Sequence, residues 1–158
     1  LGHQDCIIDG VLTDIKSASS FAFKKFRDNK LAEDDPFGYI AQISAYATRR
    51  GDKEAAFFAI DKNSGELAIT KVHDLEMIDA NARVNYLKGI IDTDTPPPRC
   101  YNDVPDGKSG NRKLTTGCTY CGYKTRCWDN LRAFKYSNGV RILTHVAKTP
   151  DVEEVAVG

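Results

Sequence analysis

Two short runs, Cys6-Ile7-Ile8 and Val11 to Lys16, mix apolar and polar residues in strand fashion around Asp9-Gly10. Asp-Gly signals a two-residue hairpin turn, because both central positions of a type I′ turn need φ > 0. Counting outward, Ile8 faces Val11, Ile7 faces Leu12, Cys6 faces Thr13, Asp5 faces Asp14 and His3 faces Lys16. Strand side chains alternate, so Cys6, Ile8, Val11, Thr13 and Ile15 share a mostly apolar side, the one expected to meet the core. The other side carries His3, Asp5, Ile7, Leu12, Asp14 and Lys16. Carboxylates opposed at strand distance repel, so something positive is expected between Asp5 and Asp14.

Beyond this hairpin the period changes. Residues 17–31 predict a helix capped by Ser19 or Ser20, with Phe23 and Phe26 on one side. Residues 34–51 predict a second, with Asp35 as cap, Pro36 in the first turn, Arg49 and Arg50 near its end and Gly51 as its stop. Residues 54–60 and 66–72 read as strands around the turn 61–65. A further helix is expected over 74–91, with a stripe of Leu75, Ile78, Ala82, Asn85 and Ile90. Pro96, Pro97 and Pro98 then break the chain, and the residues to about 130 show weak periodicity. A last hairpin is expected over 134–146 through Asn138-Gly139, followed by a loose acidic tail over 151–158. This order of elements argues for an α/β protein, a mixed β-sheet flanked by helices. The expected boundaries are a core over 1–98 and a basic, cysteine-bearing segment over 99–150 packed on the same domain.

The chain has 158 residues, enough for a real core, and its 41% hydrophobic content is ordinary for a soluble protein. No apolar run approaches the roughly 18–20 residues that span a membrane. No secretory signal is read, and the start at Leu1 rather than Met suits a fragment. Formal net charge is zero, yet residues 99–148 hold ten Lys and Arg against three Asp, a local +7. Nucleic acid attracts such a footprint, and so does plain solvent.

Asp5, Asp14 and Lys16 on one strand face match what phosphodiester cleavage requires. Mg²⁺ or Mn²⁺ takes hard oxygen ligands from one or two carboxylates and keeps several waters. A lysine beside it can orient a water or stabilise charge in the transition state. "GHQD" followed by "DIK", with "AQISAY" further on, resembles the PD-(D/E)XK nucleases, in particular their RecB-like branch. There a G-x-x-D strand, a D/E-x-K strand and a Q-x-x-x-Y helix follow one another, and the same order holds here over roughly the first fifty residues. The resemblance implies a restriction-endonuclease-like sheet and a divalent-metal-dependent DNA nuclease, an exonuclease rather than an endonuclease, of phage-recombination or RecB type. It implies that Asp5, Asp14 and the Ile15 carbonyl ligate Mg²⁺ or Mn²⁺, and that Lys16 is the catalytic lysine. Gln42 and Tyr46 would contact the DNA backbone or metal-bound water. Family members carry a further metal ligand on a preceding helix, and His3, on the metal face by register, is the candidate substitute. The setting implied is the cytoplasm of a bacterial or phage-infected cell, with DNA as the partner and no membrane.

Cys118, Cys121 and Cys127 form C-x2-C-x5-C, with Cys100 upstream. Four thiols in a Gly-rich segment read as a metal site more readily than as disulfides. Zinc and a [4Fe–4S] cluster both take four thiolates, so spacing leaves the two open. The spacing resembles the iron–sulfur staple of some RecB-like nucleases, which favours the cluster, with Cys100 in the upstream position. Cys6, on the apolar hairpin face, is expected to be a core thiol. "DGKSGNRK" lacks the phosphate-loop spacing. Lys108, Arg112 and Lys113 read instead as backbone-contacting residues on a flexible basic loop, joined in DNA binding by Lys124 and Arg126. The alternative to a nuclease is a non-catalytic nucleic-acid-binding module with a structural four-cysteine zinc site.

Overall fold

β1 (Cys6–Ile8) and β2 (Val11–Ala18) form the expected hairpin in the computed structural model, which describes residues 2–73 and 76–158. Asp9 and Gly10 have φ of 49° and 83°, the left-handed pair that a type I′ turn needs. The register is as counted: Cys6 opposite Thr13, Ile7 opposite Leu12, Ile8 opposite Val11. The ladder ends there, so His3 and Asp5 stand in irregular chain ahead of β1.

After β2 come α1 (Ser20–Arg27), a 3-10 turn over Leu31–Glu33 and α2 (Tyr39–Arg50). This crossover lets β3 (Glu54–Asp61) lie parallel to β2, with Leu12 opposite Ala55 and Lys16 opposite Ala59. β4 (Leu67–His73) returns antiparallel to β3 and completes a four-stranded mixed sheet in the order β1-β2-β3-β4. The Ser19 hydroxyl caps α1 by accepting from the Ala22 N–H at 3.4 Å. α2 starts later than expected because Gly38, at φ 70°, turns the chain after Pro36. Asp35 still serves that helix end, accepting from the Tyr39 and Ile40 N–H groups at 2.9 and 2.8 Å.

The hydrophobic core gathers Leu12 and Ala18 of β2, Phe23 and Phe26 of α1, Ile43 and Ala47 of α2, and Phe57 of β3. The helices thus cover the side of β2 expected to face outward, although Thr13 of the other side is buried as well. Leu12 and Asp14 are buried, whereas Ile8 and Ile15 are each 44% exposed. A crossover returns over one face of its sheet, and its aromatic residues choose that face: Phe26 packs edge-on to Phe57 with ring centroids 5.7 Å apart. Cys6, expected in the core, is half-buried, and its thiol donates to the Thr13 carbonyl at 3.5 Å.

α3 (Ala80–Ile91) begins at its own cap, Asp79, whose carboxylate accepts from the Ala82 N–H at 2.9 Å. Of the expected stripe, Ile78, Ala82 and Asn85 are exposed, Ile90 is half-buried, and Leu75 lies outside the described residues. Apolar residues stand all round this helix, so no single stripe is selected: Val84, Tyr86, Leu87 and Ile91 are exposed too.

Residues 97–158 form a second compact unit beside the unit of residues 1–96 in the chain order. It contains β5 (Val104–Pro105), β6 (Arg112–Lys113), α4 (Thr116–Thr119), α5 (Lys124–Cys127), β7 (Arg132–Tyr136), β8 (Gly139–His145) and β9 (Glu154–Val155). Its antiparallel sheet has the order β5-β6-β8-β7-β9. Leu114, Ala133 and Ile142 form its small core, with Cys118, Trp128 and Val155 packed against them. The last hairpin turns one residue earlier than expected, through Ser137-Asn138, since Gly139 pairs with Tyr136. The acidic tail is not loose: β9 pairs with β7, and Arg132 grips Glu154 through two bonds of 2.9 and 2.7 Å. Among the described residues no helix is long and apolar enough to cross a membrane.

Candidate active site

β2 carries Asp14 and Lys16 on the helix-covered face, and α2 presents Tyr39, Gln42 and Tyr46 at i, i+3 and i+7. That spacing lines up one face of a helix. Asp14, only 4% exposed, forms an ion pair with Lys16 through Oδ2. Lys16 Nζ lies 3.4 Å from Gln42 Oε1 and 4.7 Å from the centre of the Tyr39 ring. Gln42 Nε2 in turn lies 3.5 Å from the Tyr46 hydroxyl. Both polar contacts are long and weak.

Asp5 joins from the irregular chain just ahead of β1. Its Oδ2 accepts the Ile15 N–H at 2.8 Å, so the carboxylate is tied to the backbone between Asp14 and Lys16. This differs from the expected Asp5–Asp14 strand pair, because β1 stops at Cys6 and Asp5 bonds as a side chain rather than as a ladder residue. Burial pushes the Asp14 carboxyl above its ordinary range; contact with Lys16 opposes this, and the nearby Asp5 charge adds to the rise. Of the two carboxylates, Asp14 has Lys16 as its positive partner, and Asp5 has the Ile15 N–H.

Gly2 closes the arrangement. A Cβ at that position would stand 2.5 Å from the Tyr46 hydroxyl, so the bare backbone admits the ring. Tyr39 was not among the expected site residues, although its place one turn ahead of Gln42 was the signal for it. His3 is exposed and joins no metal-ligand group among the described residues.

The donor set suits a hard divalent cation. Asp14 offers a buried carboxylate that Lys16 already contacts, Asp5 keeps Oδ1 beyond its bond to Ile15, and the Ile15 carbonyl is the third oxygen of the expected set. Among the described residues, however, no three His, Cys, Asp or Glu side chains converge as a ready metal site. This applies equally to Cys100, Cys118, Cys121 and Cys127, all free thiols. Cys100 and Cys127 are exposed, and Cys118 and Cys121 are half-buried. The flanks of Cys100 are nevertheless anchored. Arg99 donates to the Cys127 carbonyl at 2.7 Å and lies over the Trp128 ring at 4.1 Å, and Tyr101 packs on Gly117. The Tyr123 N–H points at Cys121 Sγ at 3.4 Å.

The basic residues are distributed differently from the expected flexible loop. Arg112 and Lys113 lie on β6, where Arg112 is bound to Asp103 and Lys113 pairs with Asp106 at 3.1 Å. The Arg112 guanidinium holds the Asp103 carboxyl below its usual range, with help from the Thr144 hydroxyl. Lys124 bonds the Cys121 carbonyl at 3.2 Å, and Lys108 and Arg126 are exposed. No family model, no curated protein and no solved structure matches this chain.

Proposed function

We propose that the first unit is a divalent-metal-dependent DNA nuclease with a restriction-endonuclease-like sheet, acting as an exonuclease. The observation that carries this reading is Asp14, a buried carboxylate paired with Lys16 and beside Asp5, whose charge adds to the rise in its pKa. An ionised carboxylate taken out of water without full compensation is costly, and a bound cation would supply the compensation. Asp5, Asp14 and the Ile15 carbonyl would hold Mg²⁺ or Mn²⁺. Such an ion lowers the pKa of bound water and neutralises phosphate charge when present.

Lys16 would then orient the attacking water or stabilise charge on the phosphate. Tyr39 and Gln42, which flank its ammonium, hold it in place. Tyr46 and Gln42 are placed to contact the sugar–phosphate backbone. Cys100, Cys118, Cys121 and Cys127 are proposed to bind one [4Fe–4S] cluster, or zinc, which would draw the segments anchored by Arg99 and Tyr101 into one ligand set.

The test is incubation of linear and circular DNA, single- and double-stranded, with Mg²⁺, Mn²⁺ or EDTA. Metal-dependent loss of linear DNA is expected. Asp14→Ala should reduce it by at least about a hundredfold with DNA affinity kept, and Lys16→Ala should lower kcat more than it raises KM. Cleavage by Asp14→Ala at the parental rate overturns the assignment.

A further inference from the structure

The stretch Asp106–Asn111, whose glycines and lysine failed the phosphate-loop spacing, is the loop between β5 and β6. It is braced from within. The Asp106 N–H reaches the Asn111 carbonyl at 2.8 Å, and the Ser109 hydroxyl donates to the Asp106 carbonyl at 2.9 Å. The Asn111 side chain clamps the backbone of Lys148, donating to its carbonyl and accepting its N–H, both at 2.8 Å. Gly107 and Gly110 take φ of 65° and 81°, which other residues would resist. The loop and residues 148–151 thereby line an open cleft of about 340 Å³, within the size range of small-ligand sites.

The groups in this cleft divide into two kinds. Asp106 is already answered by Lys113 and Arg141, each at 3.1 Å, and Arg141 also lies over the Tyr136 ring at 4.2 Å. The ammoniums of Lys108 and Lys148 and the hydroxyls of Thr149 and Tyr136 have no partner among the described residues. Two unpaired cations with two unpaired hydroxyls and an aromatic ring form a donor set for a phosphate carrying a sugar and a base. Asp151, the remaining charge, suits an acceptor for a sugar hydroxyl or a base amine.

We propose that this cleft binds one nucleotide of a nucleic-acid strand, with Lys108 and Lys148 on its phosphate and Tyr136 against its sugar or base. The choice of a strand over a free nucleotide rests on the nuclease reading above. The site replaces Arg112 and Lys113, which are held in ion pairs, as the place where the second unit meets the strand.

The test is fluorescence anisotropy of the full chain with a labelled single-stranded oligonucleotide, in EDTA, across a KCl series. Each phosphate contact on a single strand adds about 0.7 to the salt slope. K108Q/K148Q, which frees that one phosphate, should therefore shallow the slope by about 0.7 and weaken binding several-fold at low salt. Tyr136→Leu should weaken binding about tenfold with the slope kept. Unchanged affinity and slope in K108Q/K148Q overturns the proposal. Displacement of the oligonucleotide by dAMP as effectively as by unlabelled oligonucleotide overturns the choice of a strand. Manganese-dependent turnover of bis(p-nitrophenyl) phosphate, which needs Asp14 and not the cleft, separates the two readings. It should survive K108Q/K148Q; its absence from the parent protein, with the salt-slope shift intact, sinks the nuclease reading alone.

Discussion

Two groups of chemistry-bearing residues stand out in this chain, and they are held in opposite ways. Asp5, Asp14, Lys16, Gln42 and Tyr46 come together because each sits on or beside a regular element whose packing is already decided by the core. Cys100, Cys118, Cys121 and Cys127 sit on exposed chain and on single helical turns, and their side chains do not form one ligand set. A strand paired on both sides and a helix packed across it fix side-chain directions before any ligand arrives. Short turns on a small core leave the last step of ordering to whatever binds there.

The sharpest way to break this contrast is to remove the metal proposed for the cysteines. Chelation, or any single replacement of Cys100, Cys118, Cys121 or Cys127 by Ser, should raise the rate of protease cutting between Pro98 and Trp128 by tenfold or more. Cutting within residues 20–61 should stay as it was, and Cys6→Ser should keep the metal. Metal analysis of anaerobically purified protein decides the kind: iron with acid-labile sulfide for a cluster, zinc without colour for the other. Equal metal content in the parent and in Cys118→Ser ends the four-thiolate assignment.

A smaller effect is expected at Gly2. Its Cβ in Gly2→Ala would meet the Tyr46 hydroxyl, the movable end of a side chain. Stability should change by less than about 0.5 kcal/mol, as for surface substitutions generally. Cleavage should nevertheless fall, by about tenfold, because a displaced Tyr46 loses its place beside Gln42. A parental cleavage rate in Gly2→Ala would remove Tyr46 from the site.

The smallest effects are slopes against pH, and they run in opposite directions in the two units. The Asp14 pKa is raised by burial, so the native state holds its proton more tightly than the unfolded chain does. Its contribution to stability falls as pH rises from the ordinary carboxylate range through the raised value. The advantage of Asp14→Asn over the parent should accordingly grow across that window. Asp103, lowered by Arg112, behaves the other way. Its contribution is complete above the ordinary range and is lost as pH falls through the lowered value. The advantage of the parent over Asp103→Asn should shrink on acidification. Urea midpoints of the three proteins between about pH 3 and 7 read both slopes.

The hairpin was legible because a two-residue turn leaves no freedom in the count. Asp9-Gly10 sets the register, and Asp14-x-Lys16 then shares a face by alternation alone. The face that would be covered was not legible from the hairpin itself. Cys6, Ile8, Val11, Thr13 and Ile15 look more like a core than Leu12, Asp14 and Lys16 do, and the decision came from Phe23, Phe26 and Phe57, far along the chain. Two helix starts lie later than expected, with Gly38 and Asp79 at the caps. Tyr39 stands one turn ahead of Gln42 on the same helix face, a spacing that the Q-x-x-x-Y pattern does not include. Arg112 and Lys113 were misplaced because an ion pair with Asp103 or Asp106 depends on a strand of two residues, too short to show a period.

The parallel pairing of β2 with β3 has a consequence for how the molecule comes into being. The hairpin can close within microseconds, since its partners are neighbours in the chain. Leu12 meets Ala55 only after the intervening helices have emerged and folded back, a non-local step of the slow kind. During synthesis, then, Asp5 and Asp14 can exist together on a hairpin without the cover that buries Asp14 or the helix that supplies Gln42 and Tyr46. A growing chain gathers Asp5, Asp14, Lys16, Gln42 and Tyr46 in one place only once β3 has left the ribosome, so the cluster forms late and all at once.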